Sequence, residues 1–534
     1  MSKDLLAKEA LSIVGKLLTL QDRNPHSPNY GCFDRNYWHY KIIDFPSGMA
    51  QEFVWPLALA FSLDLPANPY YRQPAVKEWA EAGISFAART AHRDGSCDDY
   101  YPYERALGAT AFSLLACAES YPLLGMQDSP ILEFFERRAD WLAHHDETGR
   151  LANHQALVIL SLELVSSLLG TRRWQAPIEE RLQKLLSWQS AEGWFSEYGG
   201  FDPGYHTLTI SALARVYELK PSMKVRQALS KAVKLAAEFV HPDGSYGGEY
   251  GSRSTYSYFP HGFELVGAWM PEALQINDRC LAGLAEGRGA SAADDHIIGH
   301  HAWNYLLAWR DFVSERPAFS PRPEGRVWLS EARVLIDRRK GSELYVALNK
   351  GGVFKLFRDN QLVASDTQIS LQVRHGGKTR NAVAHLVDSY QITTDELEIS
   401  VEGSFGWAKH RMMDSRSMVL LRLAVHSVGR LLPNLIRRVL QAMLIVGKRR
   451  APFSFRRTFR WEGSEWSVAD EIFVDSWANV VSAGVGPSQT SIYVAMSRTF
   501  QSGQMRPWLD LTDTIRKLAP GEHLRVNRYF RAPP

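Results

Sequence analysis

The sequence predicts an α/α toroid of helical hairpins followed by a C-terminal antiparallel β-sandwich, and three observations lead to that fold class. First, loops carrying Gly with Asp or Glu recur at a spacing of roughly fifty residues in the first half of the chain. Second, each loop leads into an amphipathic run with helical spacing. Third, the later part of the chain consists of short alternating or β-branched runs separated by turn residues.

The repeat defines the helical part. The loops are counted from Asp94, Glu147, Glu192 and Asp243, and apolar helical runs follow them. A loop and two helices per period are typical of helical hairpins arrayed side by side. If the array closes, residues 1–314 form a toroid whose loops gather at one end of a central cleft. An open solenoid is the alternative.

A change of composition marks the second part. Residues 315–326 are rich in Pro and charge and are interpreted as a linker. Residues 327–534 are predicted to form the sandwich. Residues 426–450 interrupt the strand pattern with a basic, apolar helical run. This inserted helix either packs on the sandwich or makes a peripheral contact with an anionic membrane or a partner protein.

Composition limits the function. The 534 residues carry 61 Lys and Arg against 58 Asp and Glu, a net charge of +3 that does not indicate nucleic-acid binding. The four cysteines form no CxxC pair, which favours a reducing compartment. The first twenty residues carry charges where a signal peptide has an apolar core, so a cytoplasmic protein is expected.

The most informative stretch is Trp188–Leu219. It places Glu197, Asp202, Tyr205 and His206 in an aromatic, glycine-rich loop at the start of a helix. Polar groups gathered at the end of an element suit ligand binding. A glycine-rich turn with aromatic packing is the alternative interpretation.

A second pair, Asn153-His154, begins the preceding predicted helix, about fifty residues before Tyr205. With this order and domain layout the chain resembles the heparinase II/III-like polysaccharide lyases, which include alginate and oligoalginate lyases. The resemblance implies that Asn153, His154 and Tyr205 face each other across the cleft and cleave a uronic-acid-containing glycan by β-elimination. In that family the sandwich also donates a histidine, for which His375 and His385 are both candidates.

The chemistry gives these residue types a reason. Elimination removes the C5 proton, which is alpha to a carboxylate. Asn153 suits stabilisation of the charge that develops on that carboxylate. His154 either shares that role or acts as base, and Tyr205 acts as base, acid or both. Capping of a helix is the alternative role for Asn153.

Further residues are predicted to contact an acidic oligo- or polysaccharide. Arginines in the loops suit bidentate pairing with substrate carboxylates, and structural pairing of Arg253 with Glu249 and of Arg105 with Glu104 is the alternative. Aromatic residues suit stacking on sugar rings. These predicted substrate-binding residues are Arg105, Arg253, Trp38, Tyr256, His206 and Glu197. No cofactor is required by this chemistry. A structural metal at His296, His300, His301 and Asp294-Asp295 is left open, and no metal site is assigned.

Two other functions compete with the lyase. An α/α-barrel glycoside hydrolase would use two carboxylates from the set Asp98, Asp99, Glu104, Glu197, Asp202 and Glu249. A glycan-binding protein of polysaccharide biosynthesis would keep the fold without turnover. Elimination differs from hydrolysis because it leaves an unsaturated uronate that absorbs in the ultraviolet.

Overall fold

The computed structural model describes residues 3–318, 320–387, 389–408, 414–433, 435–436, 439–440, 449–487 and 495–530. The first part is helical. Its helices are α1 (Asp4–Leu20), α2 (Arg35–Trp38), α3 (Val54–Ser62), α4 (Pro74–Thr90), α5 (Leu107–Leu123), α6 (Ser129–His144), α7 (Ala152–Leu169), α8 (Gln175–Ser187), α9 (Pro203–Leu219), α10 (Met223–Ala237), α11 (His261–Gly267), α12 (Glu272–Ala285) and α13 (Gly299–Arg310).

The helices form a closed ring. The inner helices α3, α5, α7, α9, α11 and α13 each pack on the next, and α13 returns to α3. Helices α4, α6, α8, α10 and α12 pack outside them, and α1 packs on α13. The predicted α/α toroid is therefore confirmed, and the open solenoid is excluded.

Sequence explains which helices lie inside. The outer helix α10 buries only one apolar face, whereas α7 buries residues around most of its circumference. Helix α7 is long and apolar enough to cross a bilayer, yet 61% of it is buried inside the toroid, as a central helix of a ring should be.

Two antiparallel sheets follow. The first contains β1 (Gly325–Leu329), β2 (Val334–Arg339), β3 (Ser342–Ala347), β4 (Val353–Arg358) and β5 (Gln361–Asp366). The second contains β6 (Gln368–His375), β7 (Lys378–Val383), β8 (Tyr390–Thr394), β9 (Glu398–Ala408), β10 (Arg450–Trp461), β11 (Trp466–Phe473), β12 (Val480–Gly486), β13 (Leu509–Asp510) and β14 (Leu524–Tyr529). Its order is β13-β12-β6-β7-β9-β10-β11-β14, with β8 also paired to β9.

The five-stranded sheet is buried on both faces. Leu344 and Val346 of β3 pack in the core between the two sheets, whereas the alternating Tyr345 and Ala347 pack in the core of the toroid. The molecule thus has three layers, because side chains of a strand point alternately to opposite faces. That residues 315–326 are a linker between two independent domains stays a prediction.

The predicted inserted helix begins earlier than the sequence pattern indicated. Helix α14 (Ser415–Ala424) continues into a π-helical turn at Val425–Gly429. Of the predicted segment 426–450, residues 434, 437–438 and 441–448 lie outside the described residues.

Candidate active site

One end of the toroid carries the loops that precede the inner helices. The loop before α7 holds Glu147, the loop before α9 holds Glu197 and Tyr198, and the loop before α11 holds Arg253. Two residues in this region have left-handed backbone, Tyr198 at φ 52° and Ser254 at φ 56°. Such strain in side-chain-bearing residues is frequent at functional sites.

Asn153 lies in the first turn of α7 and is fully buried. Leu151, not Asn153, occupies the N-cap position, so the alternative capping role is wrong. The backbone N–H of Asn153 donates to Glu197 Oε2 at 3.1 Å. Its side-chain Nδ2 and Oδ1 make no well-aligned hydrogen bond in the part of the chain that the structure describes, although the amide lies near enough to the Glu197 carboxylate to act on the pKa of that group. Unpartnered buried amides are costly, so this one is a candidate ligand contact.

His154 is oriented by a carboxylate. Its Nδ1 lies 2.6 Å from Glu147 Oε2, so Nε2 is the nitrogen left for other chemistry. The ring rests on the backbone of Gly108, where a Cβ would lie 2.9 Å from Nε2. Burial acts to lower the pKa of His154, but the charge and hydrogen bond of Glu147 outweigh it, and the pKa is raised. The arrangement is that of a base held by a second group.

Tyr205 lies in the first turn of α9, whose N-cap is Asp202. Burial raises the pKa of the Tyr205 phenol to about 12, while Arg253 opposes that rise through its charge and a hydrogen bond. The Arg253 guanidinium carbon lies 3.8 Å from the ring centre of Tyr198, and that ring lies 5.6 Å from the ring of Tyr205. Arg253 Nε and Nη1 have no hydrogen-bond partner among the described residues.

Glu197 connects the two halves of this group. It is 2% exposed, and burial raises its pKa to about 7 against the opposing charge of His154. Glu197 and Tyr205 also interact electrostatically. Ser252 Oγ donates to the Glu197 carbonyl at 2.8 Å and joins this loop to the one that carries Arg253. The structure therefore brings Asn153, His154, Glu197, Tyr205 and Arg253 together.

The loop before α5 adds a rim. Tyr100 is 74% exposed and lies within electrostatic range of Tyr205 and Arg253. Its neighbour Asp99 accepts from Ser47 Oγ at 2.7 Å and pairs with His296 Nε2 at 2.5 Å. Sequence reasoning did not assign Glu147, Tyr198 or Tyr100 to the site. The only sequence signal for Glu147 was a carboxylate seven residues before His154, and that spacing does not by itself predict a contact between the two side chains.

Other predicted substrate contacts are engaged elsewhere. Arg105 Nη1 pairs with Asp94 at 2.5 Å. Trp38 donates its indole N–H to the Leu20 carbonyl at the end of α1. Tyr256 donates to Glu249 at the seam with the sandwich.

His206 corrects a sequence prediction. Its Nε2 lies 3.0 Å from the Ala232 carbonyl of α10, and burial lowers its pKa to about 4. The ring packs against Phe195 and Phe201 in the helical core and reaches α10, so the structure does not bring His206 into the group around Tyr205.

The two sandwich histidines lie in different places. His375 is exposed at the β6–β7 hairpin, against Trp407. His385 is near Lys350, and burial lowers its pKa to about 3. Lys350 Nζ donates to the carbonyls of Glu249 and Gly251, both at 2.7 Å. His385 is therefore the one near the toroid loop that carries Arg253.

The histidines near α13 have separate partners. His296 pairs with Asp99, His300 pairs with Glu52, and His301 Nδ1 accepts from the backbone of Ala292. Among the described residues, no group of three or more His, Cys, Asp or Glu side chains has a metal-binding arrangement.

Comparison with known proteins places the fold. No protein-family profile and no curated protein matches the sequence. A chondroitin AC lyase variant from Streptomyces coelicolor A3 matches with a TM-score of 0.50 and 11% identity, over 90% of this chain and 67% of that one. A Paenibacillus xanthan lyase matches with a TM-score of 0.47 and 11% identity, over 98% of this chain and 56% of that one.

A heparinase III structure matches with a TM-score of 0.44 and 9% identity, over 90% of this chain and 71% of that one. All three are polysaccharide lyases, and at these identities the similarity concerns the fold alone. The match to the chondroitin AC lyase, at a TM-score of 0.50, shows that this chain shares the fold of that polysaccharide lyase, as the sequence resemblance predicted.

Proposed function

We propose that this protein cleaves an acidic, uronic-acid-containing glycan by β-elimination in the toroid cleft. The observation that carries the proposal is the pattern of satisfied and unsatisfied hydrogen-bonding groups in Asn153, His154, Glu197, Tyr205 and Arg253. A buried amide and a buried carboxylate oxygen without partners lie beside an oriented imidazole and an arginine-linked phenol. Perturbed titratable groups that converge in this way are a candidate catalytic site.

Asn153 and Arg253 are assigned to the substrate carboxylate. Elimination at C5 develops negative charge on that carboxylate, and donors already in place stabilise it without reorganisation. Nδ2 of Asn153 and Nε and Nη1 of Arg253, which make no well-aligned hydrogen bond among the described residues, are such donors. The positive charge of Arg253 also selects an acidic sugar over a neutral one.

His154 and Tyr205 are assigned to the proton transfers. With a pKa of about 12, the Tyr205 phenol keeps its proton at neutral pH and suits protonation of the leaving glycosidic oxygen. Glu147 holds Nδ1 of His154, which leaves Nε2 to remove the C5 proton. The reaction breaks the C5–H and C4–O bonds and forms the C4–C5 double bond.

Hydrolysis fits the carboxylates less well, since it needs two that can act on the scissile bond. Asp98 accepts from the backbone N–H groups of Tyr103 and Arg105, and Asp202 caps α9. The other engaged candidates are Asp99, Glu104 and Glu249. Among the described residues, Glu197 and Glu249 each keep one buried oxygen without a hydrogen-bond partner, but that oxygen of Glu249 is ion-paired with Lys355 at 3.3 Å.

The test is a panel of uronate-containing polymers and oligomers, followed both by ultraviolet absorbance and by new reducing ends. We expect the two signals to rise together. Tyr205→Phe should lower kcat by about 100- to 10,000-fold, the usual contribution of general acid–base catalysis. Tyr217→Phe, at the other end of the same helix α9, is the matched control and should keep full activity.

Other outcomes separate the competing functions. Reducing ends without ultraviolet absorbance would indicate a hydrolase. Saturable glycan binding with neither signal would indicate a binding protein that has no turnover.

A further inference from the structure

Helix α14 and the π-helical turn after it expose large apolar side chains. All ten residues of α14 are exposed or partly exposed. Leu420, Leu423 and Leu431 are 67%, 62% and 79% exposed. Single exposed leucines are ordinary, but a contiguous set on one segment marks an interaction surface. We call residues 415–432 the exposed helix.

The exposed helix is fixed to the toroid by its opposite side. Asp44 accepts from Arg422 Nη1 at 3.0 Å and pairs with His426 Nε2 at 2.8 Å. At helical spacing, Leu420 projects from the side opposite Arg422, whereas Leu423 projects from the flank of the helix, and both side chains are exposed. The apolar side chains are therefore presented outward by an anchored element, and the loop of Asp44 adds Ile42, which is 70% exposed.

Basic residues outnumber acidic ones around this surface, where Asp44 is paired with Arg422 and His426 and Asp414 caps α14. Residues 415–450 contain eight Lys and Arg and no Asp or Glu. On the described part these include Arg416, Arg430, Arg449 and Arg450. Apolar side chains interspersed with arginines match an anionic bilayer, whose headgroups attract cations while its acyl region accepts leucine.

We propose that the exposed helix docks this protein on an anionic membrane surface. Leu420, Leu423 and Leu431 enter the interfacial region, and Arg416 and Arg430 contact lipid phosphates. A two-fold dimer through this surface is disfavoured, because an isologous interface would place like charges against each other. The proposal is independent of the enzymatic reaction.

Docking here would set the orientation of the cleft. His426 contacts Tyr103 with ring centres 5.8 Å apart, and Tyr103 belongs to the loop that carries Asp99 and Tyr100. The rim of the candidate active site therefore lies beside the proposed membrane surface.

The direct test labels the surface. All four native cysteines are buried, so Leu423→Cys supplies a selectively reactive site for an environment-sensitive fluorophore. Met223→Cys is the matched control, because Met223 is 66% exposed at the opposite end of the toroid, where α10 begins. With vesicles containing phosphatidylglycerol, the label at 423 should shift to the blue and brighten, and the label at 223 should not.

Vesicle flotation with unlabelled protein completes the test. Wild type should float with anionic vesicles and much less with pure phosphatidylcholine. Both Leu420→Ser/Leu423→Ser and Arg416→Glu/Arg430→Glu should reduce flotation by about tenfold or more. Arg516→Glu, at an exposed site on the sandwich, is the charge control and should not reduce it.

Three results would overturn the proposal. They are no flotation of wild type, equal flotation of wild type and both double variants, or an unchanged spectrum at position 423 while the protein floats. Sedimentation that shows a dimer abolished by Leu420→Ser/Leu423→Ser, without flotation, would assign the surface to a second copy instead. Circular dichroism of each variant checks that the fold is kept.

Discussion

Glu197 and Glu249 are both buried, at 2% and 8% exposure, and both lie in loops at the same end of the toroid, yet their environments differ. Burial raises the pKa of Glu197 to about 7. Burial would also raise the pKa of Glu249, but Lys355, Ser365 and Tyr256 outweigh it and hold that pKa below its usual value. Burial alone therefore does not distinguish a structural carboxylate from a functional one, and the partners do.

Arg105 and Arg253 show the same contrast between a group with complete partners and one with incomplete partners. Arg105 is paired with Asp94, whereas Arg253 stacks on Tyr198 and keeps Nε and Nη1 free of hydrogen bonds within the described residues. Groups with complete partners hold the molecule together. Groups with incomplete partners, gathered at one end of the toroid, are candidates for contact with a ligand.

The largest effect is expected at Glu249, the carboxylate that is ion-paired with Lys355. Glu249→Gln leaves the buried Lys355 ammonium, 3.3 Å from Glu249 Oε2, without its counter-charge. Breaking one side of a buried ion pair costs about 3–5 kcal/mol, so the melting temperature should fall by several degrees. Glu136→Gln, which removes an exposed pair with Arg173, should change the free energy of unfolding by less than about 1 kcal/mol. Equal effects of the two changes would remove the contrast.

The next effect is expected on activity rather than stability. Asn153→Ala removes a donor assigned to the developing charge, and kcat should fall by about 100- to 1,000-fold. Because the only side-chain interaction of the amide within the described part of the chain is with the Glu197 carboxylate and is not a well-aligned hydrogen bond, thermal stability should fall less than in Glu249→Gln. A large loss of stability with intact kcat in the folded fraction would make Asn153 structural.

Glu197→Gln should change the pH dependence of stability. A folded pKa of about 7, above the ordinary value, means that folded wild type binds more protons than the unfolded chain, so its stability falls as pH rises toward 7. The glutamine of the Glu197→Gln variant does not titrate, so this variant does not lose stability in this way as pH rises. Relative to wild type it should gain up to about 3 kcal/mol at mildly alkaline pH and nothing well below the ordinary glutamate pKa. Thermal unfolding at both pH values checks this, and a gain independent of pH would contradict it.

The sequence predicted the fold because a repeat and a change of period are global signals. A period of roughly fifty residues specifies hairpins, and alternation specifies strands. The sequence could not show that the five-stranded sheet packs on the toroid. That burial appears only as Tyr345 and Ala347 facing one core while Leu344 and Val346 face the other.

Within the site, sequence reasoning failed where adjacency misled it. Tyr205 and His206 are consecutive, so both were assigned to the site, but neighbours on a helix point about 100° apart. Tyr205 accordingly lies beside Arg253, and His206 reaches the Ala232 carbonyl. Glu147 was overlooked for the opposite reason, because a loop folds it back onto His154 at a distance that no periodicity predicts.

The smallest effect is expected for Glu147→Gln, which tests how Glu147 acts on His154. Glu147→Gln keeps an oxygen that accepts from His154 Nδ1–H, but it removes the charge that raises the pKa of His154. A catalytic base works only when deprotonated, so wild-type kcat/KM should rise with pH through the raised His154 pKa. In the variant that rise should move to lower pH, while the alkaline plateau changes by less than about tenfold, or 1.4 kcal/mol.

The readout is the full pH profile of kcat/KM for wild type, Glu147→Gln and the exposed-site control Glu136→Gln. The sign is specific, because the variant should become more active relative to wild type on the acid side, a result that a general loss of structure cannot produce. A proportional loss of activity at every pH would show that Glu147 only supports the loop. A profile that is unchanged in position and height would show that His154 is not the titrating base, and Tyr205 would then have to perform both proton transfers.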